Sequence, residues 1–109
     1  MKAGLIRCMQ TDDICNTTLC LKAVREKTGS FAYTDDVEII CVNTCGGCPG
    51  KKAISRAAEM ARVGAEAIIL SSCMYNGSPI GFKCPNYEKI KKSLEENLPN
   101  GVIIIDGSH

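Results

Sequence analysis

The sequence predicts an α/β domain with a four-stranded parallel sheet and helices on both faces. Two observations predict it. Short β-branched runs alternate with stretches of helical period, in the order βαβαβαβ. The third such run, Ala67-Ile68-Ile69-Leu70, is apolar at every position, as a strand covered on both faces requires. Chains of this order close through right-handed crossovers into three layers, here with expected strand order 2-1-3-4. A length of 109 residues suits one domain, residues 1–109, with a core of its own.

The first strand is expected over Lys2 to Arg7, centred on Leu5 and Ile6, with Cys8 at its carboxyl end. Met9 to Asn16 is polar and irregular. Thr17 or Thr18 then caps a helix from Leu19 to Lys27. Leu19, Ala23 and Val24 supply its inner face, Cys20 lies in its first turn, and Gly29 ends it. Phe31 to Asp36 reads as a loop and Val37 to Val42 as the second strand. The second helix is expected from Pro49 to Val63. Ile54, Ala57, Ala58 and Ala61 form its inner stripe and Gly64 its C′ stop. Glu66 to Ser71 is the third strand. Asn86 caps a last helix over Tyr87 to Asn97, whose face is Ile90, Leu94 and Leu98. Val102 to Ile105 is the fourth strand.

Composition narrows the function classes. Hydrophobic residues make up 45% and charged residues 23%, as in an ordinary globule. A net charge of +1 offers no basic field for nucleic acid, and the absence of Trp argues against base-stacking platforms. No stretch reaches transmembrane length. Met1 to Arg7 does not read as a signal peptide, because its apolar run is short and Arg7 closes it. The expected partner is thus a metal ion, with no nucleic acid and no membrane.

Eight cysteines in so short a chain need a reason. The α/β pattern supplies a core without disulfide staples, so a reducing, cytoplasmic setting with thiols kept for metal or redox chemistry is expected. The strongest stretch is Thr44-Cys45-Gly46-Gly47-Cys48-Pro49-Gly50-Lys51-Lys52, where a strand hands over to a helix. Two thiols two residues apart face one point if Gly46 and Gly47 let the turn tighten. Pro49 suits the first helical position. That would put Cys48 at the N-cap, where the helix dipole favours an anion. Lys51 and Lys52 oppose that dipole and would offset a thiolate-rich site.

In a parallel sheet, ligands gather beyond the carboxyl ends of the strands. Those ends carry Cys8, then Cys45 and Cys48, then Cys73, then His109, and the following loops add Cys15, Cys20 and Cys84. Cys41 lies inside the second strand and reads as core. Zinc takes four Cys or His ligands. Cys45 and Cys48 would form half a site, and Cys8 and Cys73, following neighbouring strands, the other half. The surplus of thiols leaves open two sites, redox-active thiols or an iron–sulfur cluster. The spacing Cys41-x3-Cys45-x2-Cys48 matches a radical-SAM signature, but the chain is too short for the barrel those enzymes need. A phosphatase loop is excluded, since Ile14 stands where an Arg must follow Cys8.

The central motif, with Ser71-Ser72-Cys73-Met74, Cys84-Pro85 and Gly107-Ser108-His109, resembles the CGGC-domain family, a prokaryotic family described as metal-binding. The resemblance covers essentially the whole chain. It implies metal-site roles for Cys8, Cys15, Cys20, Cys45, Cys48, Cys73, Cys84 and His109, and it leaves Cys41 outside the pattern. Ser108 stands where the family often has Thr. The expectation is a cytoplasmic metal-binding protein with zinc as its metal. The alternatives are an iron–sulfur protein or a thiol–disulfide redox protein working through Cys45 and Cys48.

Overall fold

A computed structural model describes all 109 residues. The elements run β1 (Lys2–Arg7), α1 (Thr18–Glu26), β2 (Glu38–Thr44), α2 (Lys51–Arg62), β3 (Ala67–Leu70), α3 (Ser72–Tyr75), α4 (Tyr87–Asn97) and β4 (Ile103–Asp106). Single 3-10 turns cover Met9–Thr11 and Gly29–Phe31. The strands form one all-parallel sheet in the order β2-β1-β3-β4. This is the α/β fold and the strand order expected from the sequence. The two central strands, β1 and β3, are the most buried, because each has strand neighbours on both edges and helices on both faces.

The alternation of β3 separates the two layers of core. Ile68 and Leu70 pack with Ile6 against α2 and α4, through Ala53, Ala57, Met60, Ile90 and Leu94. Ala67 and Ile69 pack with Ala3 and Leu5 against α1 and Phe31. Each fully buried Leu or Ile contributes roughly 1.5–3 kcal/mol, so the sheet centre dominates the stability. Gly4 permits the close approach of α2. A Cβ at Gly4 would stand 2.5 Å from the Met60 sulfur and 3.1 Å from that of Cys41. Cys41 is half-buried against the α2 side of the core, and burial pushes its thiol pKa up. Opposite it, β2 carries a bulge, the pairing stepping from Ala3–Ile39 to Gly4–Cys41.

Several local expectations are corrected. The second strand runs on to Thr44, so Cys45 follows it directly, its N–H donating to the Arg7 carbonyl at 2.8 Å. The helix α2 starts at Lys51 rather than Pro49, and its N-cap is Gly50 rather than Cys48. Gly46, Gly47 and Gly50 all have left-handed φ values, which hold residues 45–50 in a loop and forbid an earlier start. Thr17 stands at the N-cap of α1 but is itself left-handed and makes no side-chain cap. Helix α1 buries Cys20 and Ala23, leaving Leu19 52% exposed. The buried stripe of α2 is Ala53, Ala57 and Met60, and Ala58 is exposed. These shifts share a cause: the rotation of a helix is set by what the sheet offers it, and a stripe of alanines fits several rotations.

Candidate metal centre

All the predicted thiols except Cys41 lie in the segments that follow the strands. Four of them, Cys8, Cys45, Cys48 and Cys84, line one atom-sized cavity of about 10 Å³, closed by Met74, Asn86 and Ile90. Each arrives differently. Cys8 ends β1. Cys45 is placed by the continuation of the β1–β2 ladder. The left-handed glycines carry the chain round to Cys48, which is exposed where Cys45 is buried. Cys84 is anchored by its N–H, which donates to the Met74 carbonyl at 3.1 Å, and its own carbonyl accepts from Tyr87 at 3.2 Å. The position expected for Cys73 in this set is therefore held by Cys84.

Of the remaining thiols, Cys20 is buried on the α1 side, whereas Cys73 is buried in the same core cluster as Cys45. Cys73 is the second residue of α3, and its sulfur accepts the Cys8 N–H at 3.2 Å. Ser108 donates its hydroxyl to the sulfur of Cys20 at 3.0 Å. The Cys15 sulfur accepts the Thr17 N–H at 3.3 Å. Ser71 is fully buried and its hydroxyl has no partner. Its N–H extends the ladder to Ile6, so strand alternation puts the side chain on the Ala67 and Ile69 side, the face of α1.

Burial pushes the Cys8, Cys73 and Cys84 thiols up from their ordinary pKa. Negative charge on neighbouring cysteines raises them further: Cys45, Cys84 and Cys48 act on Cys8, while Cys8, Cys20 and Cys15 act on Cys73. Backbone hydrogen bonds at Gln10, Cys8 and Asn86 work in the opposite sense. Clustered thiols of this kind resist ionising together, and a divalent cation among them removes both the burial cost and the repulsion. As the side chains stand, no three Cys, His, Asp or Glu groups are placed to hold one ion. The donor set nevertheless fits a soft or borderline cation in type and number, and coordination needs the thiols to turn into the cavity.

His109 is held by its backbone. Its N–H donates to Ser72 Oγ at 3.1 Å and its carbonyl accepts from the same hydroxyl at 2.9 Å. The residue is exposed and does not line the cavity. Cys41 faces a separate hollow with Arg56, Glu59 and Met60. Sequence reasoning missed the serines. Ser72, Ser108 and the orphaned Ser71 stand within quoted motifs, but a hydroxyl set against a thiol leaves no periodic signal. Lys52 lies along the loop, its Cβ 2.5 Å from where a Cβ of Gly46 would be, so this position has to be glycine.

Two uncharacterized proteins of Methanocaldococcus jannaschii are similar to the chain. One is 38% identical over 93 residues, 83% of this chain and 68% of that protein. The other is 33% identical over 69 residues, 62% of this chain and 96% of that protein. No solved structure matches the chain. No helix is long and apolar enough to cross a membrane. The CGGC domain model matches residues 2–109, the stretch that carries every thiol described above, and the chain belongs to the CGGC domain family.

Proposed function

We propose that this protein binds zinc through thiolates at the carboxyl edge of its sheet, in a reducing cytoplasmic compartment. The observation that carries the reading is the convergence of Cys8, Cys45, Cys48 and Cys84 on one atom-sized cavity. Four thiols match the ligand number of a closed tetrahedral zinc site, and the space admits an ion but no organic ligand. The remaining thiols, Cys15, Cys20 and Cys73, are the candidates for a further ion, with His109 tied by its backbone to Ser72, the residue before Cys73. The unpartnered hydroxyl of Ser71 supports it, since a buried polar atom without a partner calls for a bound group. Anaerobic purification, elemental analysis and cobalt substitution test the reading. Zinc at one or two equivalents, with thiolate-to-cobalt charge-transfer absorption, is expected. Iron with visible absorption identifies a cluster instead. The absence of all metals rejects the reading.

One observation favours thiol–disulfide exchange as a second reading. Cys48 is exposed and Cys45, three positions before it, is buried, an accessible and a sheltered thiol at the spacing that thiol–disulfide proteins use. A defined Cys45–Cys48 disulfide that forms and reduces reversibly in metal-free protein would support it.

A further inference from the structure

The loop that carries Cys45 and Cys48 has a second side. Beyond Pro49 and Gly50 it borders a cleft of about 350 Å³ between α2 and α4. Pro49, Gly50, Asn86 and Ile90 line both this cleft and the thiol cavity, so the two spaces are separated by one layer of residues. A volume of this order suits a small molecule rather than a bare ion.

The charged residues of the cleft wall are both cationic. Lys51 and Lys89 line it with Asn86 and Ser93, and no acidic residue does. Neither lysine belongs to any of the ion pairs of the fold, whereas Lys22, Lys27, Lys83 and Lys91 each face a carboxylate. The amino ends of α2 and α4 both open here, and neither has a side-chain cap. Asn86 occupies the N-cap position of α4 without serving as the cap. Two ammonium groups and two uncapped helix ends then act on one bounded volume.

We propose that this cleft binds a small organic polyanion, a polycarboxylate or phosphate ester, beside the thiol ring. The proposal goes beyond the metal reading and adds a ligand site next to it. Binding of the anion does not depend on that reading.

The test is a nitrogen-15 NMR titration of the reduced protein as purified. One arm adds inorganic phosphate and the other tricarballylate, a weakly chelating tricarboxylate, with ionic strength held by sodium chloride. The amides of Gly50, Lys51 and Lys89 are expected to shift together and saturate. Saturation with both anions identifies a general anion site, and saturation with tricarballylate alone a polycarboxylate site. The double variant Lys51→Gln/Lys89→Gln should raise the apparent Kd at least about tenfold. Lys92→Gln, on the exposed surface of α4 outside the cleft, should leave it unchanged. No saturating shift with either anion, or an unchanged Kd in the double variant, overturns the proposal. Zinc content is measured on the same samples, so failure of the cleft and failure of the ring are read separately.

Discussion

The backbone N–H of Cys8 donates to the sulfur of Cys73 across 3.2 Å. The contact ties the carboxyl ends of β1 and β3 together and sets Cys73 beside a residue that lines the thiol cavity. Replacing Cys73 by Ala strands that N–H and should lower stability by about 0.5–1.5 kcal/mol, read from the urea midpoint. It should leave zinc at the cavity of Cys8, Cys45, Cys48 and Cys84 in place, since Cys73 does not line it. Loss of all metal in Cys73→Ala would show that the seven thiols work as one centre.

Cys45 and Cys48 should behave unlike Cys41. Serine at either of the first two should abolish tight zinc binding, because the tetrahedral set loses one of its four thiolates. Cys41→Ala should leave zinc stoichiometry unchanged and cost about 1 kcal/mol from a lost buried sulfur. Elemental analysis with circular dichroism measures both, and metal loss in a folded Cys41→Ala would put Cys41 in the site.

Gly50 combines a φ of +90° with a close approach to Ile90, whose side chain occupies the space a Cβ would need. Gly50→Ala should therefore destabilise by at least about 1–3 kcal/mol. The damage should spread to the thiol cavity, since Gly50 and Ile90 line it. A lower denaturant midpoint together with weakened zinc affinity is expected. Gly81→Ala, also at a left-handed φ but with nothing near its Cβ, should lose stability without changing zinc affinity.

Acid stability should depend on Asp106. Burial would raise its carboxyl, but the hydrogen bonds from Lys91, at 2.8 Å, and from the Tyr87 hydroxyl outweigh it and hold the carboxyl below its ordinary value. A folded-state pKa below the unfolded value of about 3.9 gives stability that is present above that value. It is lost as pH falls through the folded one. Asp106→Asn should flatten this part of the urea midpoint between about pH 5 and pH 2. Tyr87→Phe should move the loss to higher pH, because one of the two donors is gone.

The elements were legible because they rest on local signals. Strand β1 lies at its expected bounds, α4 runs over the expected Tyr87 to Asn97, and β3 carries the apolar run of a doubly covered strand. The expected strand order 2-1-3-4 is the one observed, and it is compatible with right-handed crossovers, which are a rule of the backbone. The membership of the thiol ring was not legible. It depends on how far β2 extends, on three left-handed glycines that delay α2 until Lys51, and on the turn that brings Cys84 under Met74. The sequence by itself determined which residues reach the carboxyl edge of the sheet, because period and handedness are local or topological. Only the tertiary structure decided that Cys84 lines the cavity with Cys45 while Cys73 is buried outside it. The sheet has two faces, and which one a side chain serves beyond a strand's end depends on packing between segments far apart in the chain.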